Sequence, residues 1–193
     1  YLIAVNDSAI EPVSKIIKNK KGIVAHTSGS ISINAIKHDY SAVFYPLQTF
    51  TKDREIDFSE VPICIEANDE KTLVFLKSIA LKLSNSVYEV SSDQRRKLHM
   101  AAVFANNFSN HLFYLAQKIC EVEKLPFDLL KPLIFETANK LQDLNSKDAQ
   151  TGPARRNDIE TMQKHLEELK DPIHKKLYQL LSESIKTTYE KEL

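Results

Sequence analysis

The chain has 193 residues, with 26 Lys+Arg against 26 Asp+Glu and a formal net charge of +0. That length fits one or two domains at ~100–200 residues each, and 42% hydrophobic residues support a sizeable core. Without a basic excess there is no electrostatic footprint for nucleic acid or for an anionic membrane surface, so no partner of either kind is expected. Glycine is scarce: only Gly22, Gly29 and Gly152 occur, where average usage of ~7% would give roughly a dozen. With none before position 22, the chain holds neither a G-x-G-x-x-G loop nor a P-loop. Cys64 and Cys120 stand far apart without metal spacing, which argues for a reducing compartment. No basic leader precedes Tyr1, so a cytoplasmic location is expected. An opening on Tyr1 with no initiator Met reads as a processed, truncated or late start.

Residues 1–90 alternate short apolar runs with helical patterns. Tyr1–Val5 is a continuous apolar run, as expected of a strand buried on both faces. Asn6, Asp7 and Ser8 carry N-cap chemistry, and 9–20 reads as a helix with Pro12 in its first turn. Further strands are expected at 23–25, 42–45, 62–67 and 86–90. A helix over 69–83 has Leu73, Leu76, Ile79, Ala80 and Leu83 on one side. Strands alternating with helices argue for a mostly parallel α/β sheet.

After Ser91 the periodicity becomes helical to the C-terminus. Ser91, Ser92 and Asp93 can cap a long helix to about Lys124. Further helices are expected from Pro126 to Leu144, from Asp158 to Lys170 and from Pro172 to Glu192, with 145–157 a loop. The boundary falls near residue 90, between an α/β half (1–90) and an all-α half (91–193). From Leu98 to Gln117 there is no Asp, Glu, Lys or Arg. Six interspersed His, Asn and Gln side chains exclude a membrane span, so the expectation is a helix buried all round in a core or a dimer. Its seam is Leu98, Ala101, Ala105, Phe108, Leu112, Leu115 and Ile119. At about 100° per residue, His99, Asn106 and Asn110 fall on the opposite side, within about 40° of one another. That stripe is either a satisfied polar face or a ligand cleft.

Three strand ends carry polar residues where open α/β sheets bind ligands. They are Asn6-Asp7-Ser8, His26-Thr27-Ser28-Gly29-Ser30 and the run through Gln48 and Thr49. Three hydroxyls, an imidazole and a glycine in the second can hold phosphate, ribose or a carbonyl, or form an ordinary turn with Ser28 or Ser30 as helix cap. In the helical half, Arg155 and Arg156 beside Gly152-Pro153 can grip an anionic group, or Asn157 or Asp158 simply caps the next helix. Nothing resembles a metal or serine-hydrolase motif.

The segments V-x-H-T-S-G-S (Val24–Ser30), F-Y-P-L-Q-T-F (Phe44–Phe50), H-M-A-A-V-F-A-N-N-F (His99–Phe108) and T-G-P-A-R-R-N-D (Thr151–Asp158) resemble a bacterial family of Rossmann-like NADP oxidoreductases. That family has a C-terminal helical domain of unknown function. It is similar to pyrroline-5-carboxylate reductases and the 6-phosphogluconate dehydrogenase superfamily. The resemblance implies a partial Rossmann-like sheet whose glycine loop would precede Tyr1, followed by the helical domain. It implies Val5, Asn6 and Asp7 near an NADP or NAD cofactor, and His26, Thr27, Ser28 and Gly29 near the nicotinamide. It also implies a small-molecule substrate between the domains and a homodimer through the helical half.

Related β-hydroxyacid dehydrogenases carry Lys-x-x-Asn-Asn on the long helix, whereas Val103 takes the lysine position here. His99 is the nearby group suited to proton transfer. Asn106 joins it as a catalytic candidate, and Gln48, Thr49, Asn110, Arg155 and Arg156 are candidates for substrate. The alternative is a non-catalytic dimeric binding or regulatory module on an inherited Rossmann scaffold.

Overall fold

The structure, a computed structural model, describes residues 1–190. It divides by packing into two units, Tyr1–Ala116 and residues 117 onward. The composition changes near 90 but the packing divides later, because the helix that opens at Ser92 is tied to the sheet by Arg95.

The first unit holds a five-stranded sheet in the order β1 (Leu2–Ile3), β2 (Val24–His26), β3 (Ser41–Pro46), β4 (Ile63–Ala67) and β5 (Val87–Glu89). Pairs β1–β2, β2–β3 and β4–β5 are parallel, and β3–β4 is antiparallel. The sheet is therefore mostly parallel and Rossmann-like, with one reversal. Residues Ile3, His26 and Val43 lie side by side in register, so the carboxyl ends of the first three strands share one edge.

Burial corrects the reading of the first strand. Ile3 is 4% exposed but Leu2 is 58% exposed; among the described residues β1 pairs with β2 alone. Alternation along β2 sends Val24 to one face and Ala25 to the other. Val24 joins Ile3, Ile36 and Ile10 of α1 (Ile10–Ile17) in one cluster. Ala25 joins Phe44, Ile63, Ile65, Leu76 and Ala80 in the second. Leu76 and Ala80 belong to α2 (Glu70–Ala80), which the Asp69 side chain caps by accepting from the Thr72 N–H at 2.9 Å. Its buried stripe is Thr72, Leu76 and Ala80, whereas Ile79 and Leu83 are exposed, a narrower face than the apolar spacing implies.

Ser91 caps α3 (Ser92–Ala102) with Gln94 in a capping box. The helix then widens into a π turn over Val103–Phe108 and continues as α4 (Ser109–Val122). Within the single chain the helix is not buried in a core: no residue of the π turn or of α4 is buried, and Phe104 is 65% exposed. The charge-free stretch presents an apolar and amide surface on the single chain.

The second unit contains α5 (Lys131–Asn139), α6 (Ile159–Glu168) and α7 (Pro172–Tyr189). Asp158 caps α6 through the Thr161 N–H, and Asp171 caps α7 through Ile173 and His174. The expected end of the last helix at Glu192 lies outside the described residues. Among those described, no helix is long and apolar enough to cross a membrane.

Candidate functional site

The loop after β2 is held from within. The Ser28 N–H donates to His26 Nδ1 at 3.1 Å. The Ser28 hydroxyl oxygen accepts from the amides of Ser30 and Ile31, each at 3.1 Å. Ser32, rather than Ser28 or Ser30, caps the short 3₁₀ turn at 33–35. The amides of Ser28, Ser30 and Ile31 are thus already spent, and they offer no phosphate cradle.

His26 is fully buried, and its Nε2 has no hydrogen-bond partner. Burial pushes its pKa down to about 4, with Arg95 adding to the effect. A neutral imidazole that accepts at Nδ1 is a structural strut in this loop, which leaves His26 without the exposure a proton carrier needs.

Arg95 is the residue that fixes the loop from outside. It is fully buried, pairs with Glu66 at 2.5 Å and donates to the carbonyls of Ser28 at 3.1 Å and Ile31 at 2.6 Å. Sequence reasoning missed both Arg95 and Glu66. The available signal was an ionised carboxylate inside the otherwise apolar β4 run.

Gly29, Tyr45 and His99 meet at the carboxyl edge of the parallel strands. A Cβ placed on Gly29 would lie 2.7 Å from His99 Nδ1 and 2.8 Å from Tyr45 Cζ. The Tyr45 hydroxyl is 3.2 Å from His99 Nδ1, and burial raises the tyrosine pKa. The rings meet edge to face with centroids 6.3 Å apart. His99 and Gly29, named separately from the sequence, are brought together, and Tyr45 joins them.

Directly after β3 begins a polar cleft of about 600 Å³. Gln48, Thr49, Arg54, Asn106, Asn107 and Asn110 line it. The sequence named four of these; Arg54 and Asn107 are additions. His99 is not among the lining residues: it stands seven residues before Asn106, about 10 Å away along the helix axis. Asn106 and Asn107 both lie within the π turn, whose turns are wider than α turns.

Val5, Asn6 and Asp7 follow β1 and are exposed. Asn6 precedes a 3₁₀ turn at 7–9, but its side chain makes no capping bond. In the second unit, Arg155 stacks on the Tyr189 ring, 4.2 Å from its centroid. The Tyr189 hydroxyl donates to the Lys147 carbonyl at 2.6 Å. Arg156 is exposed.

The architecture has solved counterparts. A Bacteroides fragilis protein described as a "putative NADP oxidoreductase" is similar at 46% identity and a TM-score of 0.92, covering 97% of this chain and 74% of that one. A Thermotoga maritima protein shares the fold at 24% identity and a TM-score of 0.80, covering 99% of this chain and 78% of that one. No curated protein matches the chain. The model of the domain of unknown function DUF2520 matches residues 61–185, and the chain belongs to that family.

Proposed function

We propose that this protein is an NADP-dependent oxidoreductase, with NAD as the other nicotinamide option, that transfers a hydride to or from a small carbonyl, imine or hydroxyl substrate. The observation that carries the reading is the meeting of His99, Tyr45 and Gly29 beside a polar cleft, at the edge where Rossmann-like sheets bind ligands. The Bacteroides fragilis neighbour supports it.

Residues 1–90 take the nucleotide in this reading, and 91–193 serve substrate binding and dimerisation. The nicotinamide, when bound, supplies or accepts the hydride. Val5, Asn6 and Asp7, with His26, Thr27, Ser28 and Gly29, are the residues that would hold it. They suit its ring end: Asn6 keeps its amide uncommitted to a cap, while the loop amides are unavailable to phosphate.

His99 carries the proton. Asn106, Asn110, Gln48 and Thr49 orient the substrate, and Arg54 meets an anionic group on it. Exposed Met100, Phe104, Phe108 and Ile119 support a homodimer through the helical half, since contiguous apolar surface marks an interface. Both cysteines are free thiols, which supports a cytoplasmic setting.

Titration of the full-length protein with NADPH and NADH, followed by nicotinamide fluorescence or calorimetry, tests this. Saturable binding is expected, and no binding of either removes the reading. His99→Gln is expected to abolish turnover while nucleotide binding persists. Unchanged turnover would remove His99 from the proton transfer; nucleotide binding without any turnover in the wild type would favour a binding module on the same scaffold, the reading that Val103 in the lysine position supports.

A further inference from the structure

The 3.2 Å contact between the Tyr45 hydroxyl and His99 Nδ1 admits two proton arrangements. The phenol can donate to a lone pair on Nδ1, or accept from Nδ1–H. Three features favour donation. Nδ1 is the one acceptor within hydrogen-bond distance of this hydroxyl among the described residues, so the reverse arrangement leaves the phenol proton of a half-buried side chain without a protein partner. Burial raises the tyrosine pKa, so the phenol carries its proton at rest and can donate it. Gly29 walls the Nδ1 side of the ring closely enough that even a methyl group would overlap it, which leaves no room there for a competing partner.

We propose that Tyr45 is a positioning residue that holds His99 as its Nε2–H tautomer, making Nε2 the atom that exchanges a proton with substrate. The proposal rests on the oxidoreductase reading. In the reductive direction a bound reduced nicotinamide would supply the hydride to the substrate carbon. The π pair of C=O or C=N moves onto the heteroatom. The Nε2–H bond breaks as the heteroatom–H bond forms, and the Tyr45 O–H bond breaks as Nδ1–H forms. Return of the Nδ1 proton to the tyrosinate and capture of one solvent proton at Nε2 restore the pair. The balance is one hydride and one proton added to substrate, with the nicotinamide oxidised.

The first test needs no turnover. Nitrogen-15 NMR of the imidazoles in nucleotide-free protein is expected to give the Nε2–H tautomer for His99, and a shift toward Nδ1–H in Tyr45→Phe. A wild-type spectrum dominated by Nδ1–H overturns the proposal even if the variant fails to fold. A Tyr45→Phe spectrum matching wild type overturns it as well. In turnover, Tyr45→Phe is expected to lower kcat about tenfold with KM within about twofold. A proton inventory in mixed H2O and D2O should fall from two transferred protons to one. An unchanged inventory contradicts the relay. Absence of nicotinamide binding would sink the oxidoreductase reading while the His99 tautomer stays readable in the same spectra, so the two failures are separable.

Discussion

Arg95 and Glu66 form an ion pair across 29 positions of sequence, with Nη1 2.5 Å from Oε2. The same guanidinium donates to two carbonyls of the loop after β2. Glu66 in turn accepts from the Ser92 amide and hydroxyl at the start of α3. One cation thus joins β4, α3 and the loop that carries Gly29. Removing one partner of such a pair leaves an uncompensated charge. Arg95→Met is therefore expected to cost about 3–5 kcal/mol, read as a lower midpoint in denaturant unfolding. A loss below about 1 kcal/mol would mean the pair does not brace the loop.

Gly29 is needed for space rather than for backbone freedom, because a Cβ there meets two rings and its φ is not in the left-handed region. Gly29→Ala must displace the His99 or Tyr45 ring. The expected result is a folded protein with shifted His99 NMR resonances and at least about tenfold less turnover. Unmoved His99 resonances would show that the rings are not packed against this position.

Burial of His26 couples stability to pH. Its folded pKa of about 4 lies below the unfolded value of ~6.5. The unfolded chain therefore binds this proton first as pH falls. The contribution is fully present above about pH 6.5, is lost progressively as pH falls toward about 4, and amounts to at most about 3 kcal/mol. Denaturant unfolding at pH 7 and pH 5 measures it above the range in which carboxylates titrate. A His26→Gln variant should have a flatter dependence, and an equally steep one would assign the effect elsewhere.

The cleft predicts a division between binding and chemistry. Asn110→Ala and Arg54→Ala should each raise KM about tenfold with kcat nearly unchanged, as expected when binding shared by ground and transition states is lost. Loss of kcat at constant KM would move these residues into the proton-transfer machinery.

In the second unit, the Tyr189 hydroxyl bonds the Lys147 carbonyl and its ring carries Arg155. Tyr189→Phe keeps the ring and removes the hydrogen bond. A loss of about 1 kcal/mol is expected in thermal or denaturant unfolding. Tyr189→Ala should cost several times more because the buried ring is lost too.

Much of the fold was legible because strands and helices have different hydrophobic periods. The runs at 23–25, 42–45 and 62–67 sit where β2, β3 and β4 form. The direction of β4 was not legible: Ile63, Cys64 and Ile65 are all buried, and a strand apolar on both faces reads alike in either direction. The caps at Ser91 and Asp158 were readable because they act within three residues. The Arg95–Glu66 pair was not, since partners so far apart meet only after the sheet forms. The candidate site was half visible. His99 and Gly29 announce themselves by residue type and position, but their meeting with Tyr45 depends on where α3 crosses the sheet. The π turn has no local signature in Val103–Phe108, so Asn107 was not read as a neighbour of Asn106 and Asn110 in the cleft.

The reversal at β4 has a further effect. Pro46 pairs with Ile63, and the Leu47 amide bonds the Pro62 carbonyl at 2.8 Å. The segment between them therefore leaves and re-enters the sheet at one point, a closed tether that carries Gln48, Thr49 and Arg54. Residues can be added to or removed from it without altering strand register. Substrate preference in this fold can thus diverge by changing the length of one loop, while the sheet that positions His99 and Gly29 stays as it is.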